Sequence, residues 1–416
     1  MGILFSHPTG NANVRAVAKG LVSKGILYRF YTSIAVFPGS FWYKIASIKG
    51  LSEFKRRSFD PALESSTHLY PIGELGRALA IKMKWKQLIA HETGRFSVDE
   101  NYQAFDKHVA KSLAKAQKNG VTAVYAYEDG ALETFREAKK LGLYCIYDLP
   151  IAYWETGRKL MQEEAIRLPQ WASTLGGGIK DSEVKLARKT QEMELADVIV
   201  GPGSFVMNSI PAWAKDKKQI VSPFGSPIVT NDSKKQLIEK KDTNAPLRVL
   251  FVGSMGQRKG LGDLFTAMQL LNNPKIELVV LGSLLAPLDF YKKEFAHFIH
   301  EIGRPHNEVL ALMRSCDVFC LPSIVEGRAL VMQEAMSQGL PIIITPNTGG
   351  EDLVIEGETG FLVPIRSPEA IAQKINWFQE NRDRIPAMGK KAQEHASQYT
   401  WDKYAETIVD ELADFL

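Results

Sequence analysis

The sequence predicts an α/β protein made of two doubly wound, Rossmann-like domains that face each other across a cleft. Its 416 residues are more than one ordinary hydrophobic core organises. Short apolar runs alternate with helical patterns along the chain, as in parallel sheets that helices cover on both faces. A polar stretch at residues 226–246 divides two such sets, so we predict domains at 1–225 and 247–400 joined by this linker.

The first domain combines apolar runs typical of buried strands with helical patterns. The runs lie at residues 2–6, 27–32, 121–127, 143–148, 197–200 and 219–222. The helical patterns lie at residues 13–24, 98–118, 131–141 and 181–196. Because ligands bind beyond the carboxyl ends of the strands in open α/β sheets, we expect the loops that follow these runs to carry the chemistry.

The second domain repeats this pattern. Its apolar runs lie at residues 247–253, 277–282, 317–321, 340–345 and 360–364. A helix is predicted at 261–271, after the first run. Another is predicted at 329–338, after the third run. Gly339 ends this helix and Pro341 follows soon after, as is typical of a helix C-terminus.

Composition is that of an ordinary globular enzyme, with 45% hydrophobic and 24% charged residues. No run approaches the roughly 18 apolar residues that span a bilayer, and the first residues are strand-like rather than a signal peptide. Cys145, Cys316 and Cys320 lie in or beside apolar runs, which indicates packing thiols rather than a metal site. We therefore expect a cytoplasmic protein without a bound metal.

Positive charge is concentrated in the first half. Residues 1–225 hold 31 Lys and Arg against 22 Asp and Glu, although the net charge of the whole chain is only +4. An anionic partner should therefore meet the first half. Because the excess is diffuse and no basic-aromatic stripe accompanies it, we expect no nucleic acid partner.

Two glutamates eight residues apart are the most informative pattern in the chain. Glu326 lies in the turn after the run at 317–321, and Glu334 lies in the helix that this turn opens. Such a strand-turn-helix directs free backbone N–H groups at a site suited to a phosphate. Flanking carboxylates would accept hydrogen bonds from sugar or ribose hydroxyls. Taken alone, the pair is also compatible with two solvated glutamates on a helix surface.

A glycine-rich loop follows the run at 247–253. Its glycines allow a ligand to approach the backbone, and Arg258 and Lys259 supply positive charge suited to phosphate. The loop matches neither the Gly-x4-Gly-Lys-Ser phosphate loop nor the Gly-x-Gly-x-x-Gly dinucleotide pattern. The alternative is a turn with two solvated cations. If the sheet brings this loop beside the helix after Glu326, both would converge on one diphosphate.

Together these residues resemble the retaining glycosyltransferases of family 4, which have the two-domain GT-B architecture. The resemblance covers the second domain well and the first half loosely. The blocks that carry it are Val252-Gly-Ser-Met-Gly-Gln-Arg-Lys-Gly260, residues 317–323 with Glu326 and Glu334-Ala-Met, Gly339-Leu-Pro-Ile-Ile-Ile-Thr345, Gly349-Gly350 with Gly360-Phe-Leu-Val, and Tyr399-Thr-Trp-Asp-Lys-Tyr404. The resemblance also implies that the segment 401–416 crosses back onto the first domain.

The resemblance implies a role for each of these side chains. Arg258 and Lys259 would bind the donor diphosphate. Glu326 would hold the hydroxyls of the donor sugar, Glu334 would bind the ribose, and residues 303–305 would lie at the nucleobase. The further residues expected at the donor are Gly10, Gly253, Ser254, Arg304, Gly327, Arg328, Ala329 and Leu330.

The chain departs from the family pattern in two places. Where relatives often carry Gly-Arg-Leu, this chain has Gly253-Ser-Met255, so the diphosphate arginine would be Arg258 alone. The usual Glu-Gly-Phe-Gly reads Glu326-Gly-Arg-Ala329, and its extra charge, Arg328, is either a third phosphate contact or a surface residue.

The first domain offers a glycine-containing loop and two acidic candidates. The loop at 7–13 is similar to the family's first loop, with Gly10 permitting close approach and Asn13 as a helix N-cap, although an ordinary turn is the alternative. Many relatives place a histidine after one of the next two central strands, where this chain has none. Asp148 and the pair Glu128/Asp129 are the acidic candidates for that catalytic place, with helix capping as the other interpretation for Glu128 or Asp129.

Two basic, aromatic stretches are candidates for the acceptor side. One runs through residues 37–49 into 55–57, and the other, at 77–86, spaces aliphatic, Trp and Lys residues as a helix would. Basic amphipathic helices with Trp favour an anionic membrane surface. Helices packed on the sheet with solvated lysines are the alternative.

These interpretations combine into one expected function. We expect a retaining glycosyltransferase that needs neither metal nor cofactor and moves a sugar from a UDP- or GDP-linked donor to a hydroxyl of a glycan, lipid or small molecule. A sugar-nucleotide epimerase or hydrolase of the same fold, and a non-catalytic binding subunit, are the alternatives. The sequence carries no signal for an oligomeric state.

Overall fold

The computed structural model describes residues 2–40, 43–44, 57–227 and 245–416. Its strands are β1 (Gly2–Ser6), β2 (Leu27–Thr32), β3 (Thr67–Leu69), β4 (Val121–Tyr127), β5 (Tyr144–Asp148), β6 (Val198–Gly201), β7 (Lys218–Val221), β8 (Leu247–Val252), β9 (Ile276–Leu281), β10 (Phe298–Glu301), β11 (Val318–Leu321), β12 (Ile342–Ile344) and β13 (Gly360–Leu362).

The helices lie between most of these strands, as the alternating pattern predicts. They are α1 (Ala12–Ser23), α2 (Ile72–Lys82), α3 (Val98–Ala110), α4 (Leu113–Lys118), α5 (Leu132–Lys140), α6 (Trp154–Arg167), α7 (Glu183–Leu195), α8 (Ser204–Ser209), α9 (Leu261–Leu271), α10 (Leu288–Glu294), α11 (His306–Arg314), α12 (Leu330–Ser337), α13 (Pro368–Glu380), α14 (Ile385–Ala396) and α15 (Trp401–Phe415).

The strands form two parallel sheets, which confirms the predicted fold class. One sheet has the order β3-β2-β1-β4-β5-β6-β7 and the other the order β10-β9-β8-β11-β12-β13. In each sheet the order reverses beside the first strand, between β1 and β4 and between β8 and β11. Ligands of doubly wound sheets bind at such reversals, beyond the carboxyl ends of the strands.

Helix α15 crosses back onto the first sheet, as the resemblance implies. Ile408 and Leu412 are fully buried in the core of that domain, together with Phe5 and Val17 of β1 and α1. Gly20 of α1 is the point of close approach, because an added Cβ there would lie 3.1 Å from the Cβ of Ala405.

Some local predictions were wrong. The helix predicted at 98–118 is broken at Ser112, whose backbone N–H and hydroxyl both bond the carbonyl of Val109. Asn13 is not the N-cap of α1: Asn11 occupies that position, and the Asn13 side chain instead bonds Tyr404 of α15. Asn13 therefore joins the crossover helix to the first domain.

Parts of the sequence predictions fall outside the described residues. Most of the predicted linker is among residues 228–244, and much of the basic stretch at 37–49 and 55–57 is among residues 41–42 and 45–56. Within the described ranges, no helix combines the length and apolar character needed to cross a membrane.

A segment of the first domain inserts into the second. After α6, the short 3-10 turn Pro169–Thr174 carries Trp171, which is 1% exposed and belongs to the second domain's core. Its ring packs edge-on against Phe265 and Phe290, and its indole N–H donates to Glu294 at 2.9 Å. The two domains therefore share a hydrophobic contact as well as the crossover helix.

Candidate functional site

Three predicted side chains meet where the strand order of the second sheet reverses. The 3-10 turn Gln257–Lys259 follows β8, and Glu326 follows β11. Lys259 Nζ lies 2.6 Å and Arg258 Nη1 2.9 Å from the same Glu326 oxygen, Oε1. The structure thus brings together the two loops that the sequence analysis singled out.

Backbone contacts fix these two loops against each other. The carbonyl of Arg258 accepts from the N–H groups of Ile324, at 2.9 Å, and Val325, at 3.3 Å. The Arg258 guanidinium donates in return to the Val325 carbonyl at 3.0 Å. Because these bonds tie both loops together, the two cations are held in place by the fold and not only by their attraction to Glu326.

The charge of this cluster suits an anion. Two cations surround one carboxylate, so the three side chains carry a net positive charge, and all are mostly buried, with 11–29% of each side chain exposed. Partly buried charges interact more strongly than solvated ones because water screens them less. A guanidinium and an ammonium together match the oxygens of a diphosphate.

Two glycines allow close approach in this cluster, one of Lys259 and one of the backbone that follows β11. Gly253 has φ 152°, and an added Cβ would lie 2.6 Å from Cδ of Lys259, so the lysine stem rests directly on this backbone. Gly260 has φ 73°, and an added Cβ would lie 2.0 Å from the carbonyl oxygen of Pro322. Next to Gly253, Ser254 lies half-buried in the same loop.

The loop after Glu326 reaches the first domain. An added Cβ at Gly327 would lie 1.7 Å from the carbonyl oxygen of Pro150, just beyond β5. Of the amides at residues 327–330, which the resemblance places at the donor, that of Ala329 is used internally, because it donates to the carbonyl of Thr348 at 3.3 Å. The neighbouring Glu326 N–H donates to the carbonyl of Asn347 at 3.2 Å. Leu330, half-buried, begins α12 at this point.

Arg328 has neither of the two predicted positions. Its side chain is fully buried, and its guanidinium donates to both carboxylate oxygens of Asp352, to the side chain of Gln333 and to the carbonyl of Gly349. The guanidinium also lies 5.1 Å from the ring centroid of Tyr399. All three guanidinium nitrogens thus have protein partners, so Arg328 holds the second domain together rather than facing a phosphate or solvent.

Glu334 belongs to a neighbouring group of polar residues. Its Oε1 lies 3.0 Å from Nε2 of His306, at the start of α11, and the residue is half-buried. Arg304, two residues before His306, pairs with Glu301 at the end of β10. Sequence reasoning missed His306, which lacks a motif of its own.

The first loop of the first domain is packed closely. An added Cβ at Gly10 would lie 3.0 Å from the ring of Phe59, and the Gly10 carbonyl accepts from Arg15 at 2.9 Å. His7 is fully buried, its Nδ1 accepts from the N–H of Thr9, and burial lowers the pKa of His7 to about 3. The His7 ring lies 4.1 Å from that of Tyr127, at the end of β4. His7, a neutral histidine, therefore lies beside the loop after β4, one of the two loops in which many relatives carry a histidine and this chain does not.

The two acidic candidates of the first domain have different environments. Asp148 ends β5, and burial, together with the charge of Glu128, raises the pKa of Asp148 to about 7. Glu128 is also buried, which raises its pKa, but Lys189 Nζ lies 3.3 Å from its carboxylate. Glu128 is therefore paired with a cation of α7, while Asp148 has a carboxyl group poised to titrate near neutral pH.

Helix capping does not explain Glu128. The carboxylate of Glu192 accepts from the N–H groups of Asp129, Ala131 and Leu132, and Asp106 accepts from the next two amides. Burial raises the pKa of Glu192 to about 8. These two distant carboxylates, which no local pattern reveals, cap α5.

A buried carboxylate between the domains was also missed. Glu164 of α6 is fully buried and accepts from Arg167 at 2.7 Å, from Gln257 at 2.8 Å and from Arg366 at 2.5 Å. Gln257 and Arg167 also donate to Asp263 of α9. Because Gln257 immediately precedes Arg258, this network anchors the cation-bearing turn to the first domain.

Comparison with known proteins gives a family match over part of the chain and a fold over all of it. Residues 231–395 match the family described as glycosyl transferases group 1. The chain is 28% identical over 205 residues to the D-inositol 3-phosphate glycosyltransferase of Corynebacterium glutamicum, covering 45% of this chain and 49% of that protein. It is 27% identical over 214 residues to the sulfoquinovosyl transferase SQD2 of Arabidopsis thaliana, covering 49% of this chain and 39% of that protein. The chain spans about half the length of the curated relatives it matches.

Solved structures match over the whole chain. Sucrose-phosphate synthase from Thermosynechococcus elongatus superposes with a TM-score of 0.66 at 17% identity, covering 100% of this chain and 99% of that one. HepE of Anabaena, in complex with UDP, superposes with a TM-score of 0.62 at 16% identity and covers 100% of both chains. At these identities the likeness concerns the fold, and it confirms the predicted GT-B architecture.

Proposed function

The second domain is a group 1 glycosyl transferase domain in a chain of GT-B fold, and from this premise we propose that the protein transfers a sugar from a nucleoside-diphosphate sugar to an acceptor hydroxyl, with retention. The glycosyltransferase family predicted from the motifs is thereby confirmed. The observation that carries the proposal is the convergence of Arg258 and Lys259 on Glu326, beside the cleft.

The chemistry follows from where charge develops. When the bond between sugar and diphosphate breaks, negative charge grows on the leaving diphosphate and positive character on the sugar. Arg258 and Lys259, held in position before the donor arrives, stabilise that negative charge without reorganising. A phosphate oxygen of the leaving group accepts the proton of the acceptor hydroxyl, so no dedicated base is needed.

Glu326 has a second task in this proposal. In the free protein its carboxylate attracts both cations and thereby offsets their mutual repulsion. With donor bound, the diphosphate takes over part of that balance, and Glu326 can accept hydrogen bonds from sugar hydroxyls. Glu334, which is paired with His306, is proposed to accept hydrogen bonds from the ribose hydroxyls of the donor.

The donor nucleotide and the acceptor are also part of the proposal. UDP is the first nucleotide to test, because HepE, which shares this fold, has been solved with UDP. The acceptor is a hydroxyl of a glycan, a lipid or a small molecule, bound on the side of the first domain. Metal independence and contact with an anionic membrane also belong to the proposal.

A nucleotide screen tests the donor site. Full-length protein should gain several degrees in melting temperature with one of UDP, GDP or ADP, because a ligand that binds only the folded state stabilises it. The variant Arg258→Ala should lose most of this gain, whereas Arg95→Ala, a change on the first domain's surface, should keep it. Wild-type protein without any shift in all three nucleotides would refute the donor site.

Product analysis then tests the reaction. Donor sugar should appear on an acceptor, with the configuration of its anomeric carbon retained. Donor consumption without acceptor would favour the epimerase or hydrolase. Tight donor binding without a product across an acceptor panel would favour the binding subunit.

Asp148 should give the activity a pH dependence. The pKa of Asp148 is raised to about 7, so the carboxyl group is neutral below that pH and ionised above it. If the carboxylate accepts a hydrogen bond from a substrate hydroxyl, kcat/KM of the wild type rises to a plateau above about pH 7. Asp148→Asn should remove this step and lower the plateau by about tenfold to a hundredfold. His7, with a pKa of about 3, does not titrate in this range.

Stability provides a second measurement on the same group. A raised pKa means that the folded protein holds this proton more tightly than the unfolded chain, so the contribution of Asp148 to stability falls as the pH rises through about 7. Asp148→Asn should flatten that part of the dependence of the melting temperature on pH. Replacing an exposed aspartate, Asp216→Asn, should leave the pH dependence of kcat/KM and of the melting temperature unchanged. If the step near pH 7 survives in Asp148→Asn, the titrating group is not Asp148.

A further inference from the structure

Helix α2 and the turn after it expose more apolar surface than solvent-facing helices usually do. Six large apolar side chains within 14 residues are 38–68% exposed. They are Ile72, Leu75, Leu79, Ile81, Met83 and Trp85. Single exposed apolar residues are normal on protein surfaces, whereas a contiguous exposed apolar patch marks a docking surface.

The helix is oriented by its opposite side. An added Cβ at Gly73 would lie 2.4 Å from the side chain of Asn101, and one at Gly76 only 2.3 Å from the ring of Phe96. These glycines and the buried Ala80 hold one side of α2 against the domain. At 100° per residue, Ile72, Leu75 and Leu79 lie within about 60° of one another, on an outward side about 100° from the mean direction of the inward residues, and the exposed Met83 follows as the C-cap residue.

The end of the helix adds Trp85 to this surface. Trp85 N–H donates to the Ala80 carbonyl and Lys84 N–H to the Ile81 carbonyl, which is the hydrogen-bond pattern of a Schellman motif. Lys84 occupies the left-handed position with φ 57°, where glycine is usual. Trp85 is thereby held at the edge of the outward side, 46% exposed.

The charges around this surface are positive. Residues 72–86 contain Arg77, Lys82, Lys84 and Lys86 against a single carboxylate, Glu74. The three lysines are exposed, whereas Glu74 is neutralised by Arg57 at 2.5 Å. Exposed lysines around an apolar row with tryptophan complement anionic lipid headgroups over an acyl layer.

We propose that α2, with Trp85 and the lysines of residues 82–86, docks the protein onto the surface of an anionic lipid bilayer. The lysines contact the headgroups while Leu75, Leu79, Met83 and Trp85 enter the acyl boundary. The exposed lysines disfavour a second copy of the chain, because two copies of this surface would repel each other. Lysines around an apolar row with tryptophan match a layer of anionic headgroups over acyl chains, so the proposal commits to a membrane.

This surface is connected to the first loop, which follows β1. Glu74 of α2 pairs with Arg57, and Arg57 donates to the carbonyl of Pro8 in the first loop at 3.4 Å. Docking at α2 therefore places the first loop near the lipid surface. Resting on the proposed function, this geometry assigns the acceptor to hydroxyls presented at a membrane, such as those of a lipid headgroup.

Vesicle binding tests docking without donor or acceptor, so its outcome is separate from that of the transfer assay. Full-length protein should sediment with vesicles of phosphatidylcholine and phosphatidylglycerol in equal parts, and much less with phosphatidylcholine alone. Leu79→Ser combined with Trp85→Ser should weaken binding at least about tenfold. Replacing Lys82, Lys84 and Lys86 with Gln should weaken it by roughly fivefold per lysine, and more salt should weaken the wild type.

A matched double variant controls for general loss of apolar surface. Ile166→Ser with Val184→Ser changes two residues that are 83% and 81% exposed on other helices and should leave vesicle binding intact. All four positions are exposed, so melting temperatures should stay close to that of the wild type. The proposal fails if the wild type ignores anionic vesicles at low salt, or if the control pair loses binding as the α2 pair does. It also fails if sedimentation velocity shows that the α2 pair abolishes a dimer instead.

Discussion

Lys259→Ala should lower kcat/KM for sugar transfer by about 10² to 10³-fold, the usual effect of removing one preorganised donor from a developing anion. The Nζ atom lies 2.6 Å from Glu326, in a loop where its stem rests on Gly253. The ammonium group is therefore fixed before donor binds, and alanine cannot replace its charge. Steady-state kinetics with a nucleoside-diphosphate sugar measure the effect.

The fold should survive this change. Glu326 keeps Arg258 at 2.9 Å, so its mostly buried carboxylate is not left without a cation. Circular dichroism and melting temperature should therefore remain near those of the wild type. A smaller drop in donor affinity than in kcat would place the effect in the transition state rather than in binding.

Lys293→Ala is the matched control. Lys293 is an exposed lysine of α10 in the same domain, so its loss removes the same charge from the domain without touching the cleft. It should leave kcat/KM unchanged. Wild-type turnover by Lys259→Ala would contradict the proposed role of the cation pair, whatever the control shows.

The core of the site was predictable because it is encoded in local patterns. Arg258 and Lys259 follow one apolar strand and Glu326 follows another, and doubly wound sheets bring such loops together where the strand order reverses. The fold class was predictable for the same reason, because the hydrophobic periodicity of each strand or helix is visible within a few consecutive residues.

The remaining parts of the site depend on pairs that are distant in sequence. Glu164 meets Gln257 and Arg366 only after both domains have folded, and nothing around Glu164 reveals those partners. Likewise, Arg328 follows the donor motif, but Asp352 and Gln333 hold its guanidinium inside the domain. In such cases tertiary packing, not the local motif, decides the position of the side chain.

Gly327→Ala should reduce transfer by at least about a hundredfold, because misplacing reacting groups by about 1 Å costs that much. The new Cβ would lie 1.7 Å from the carbonyl oxygen of Pro150. Both partners are backbone, so no side-chain rotation relieves the contact, and the loops after β5 and β11 must separate. That movement displaces Asp148 and Glu326, which lie within two residues of the contact and which accept hydrogen bonds from substrate hydroxyls in the proposed reaction. Kinetics, with small-angle scattering for the distance between the domains, measure the result.

Gly157→Ala is the control at the same interface. An added Cβ at Gly157 would lie 3.8 Å from Val325 and 3.8 Å from the Ala152 carbonyl, which are ordinary van der Waals contacts, and alanine is the better helix former inside α6. This variant should match the wild type in activity and be slightly more stable. Full activity in Gly327→Ala would mean that the loops can separate at Pro150 without slowing the reaction. That result would contradict the proposal that both substrates are held between these two loops. Loss of activity in Gly327→Ala alone would tie the reaction to close approach of the two loops.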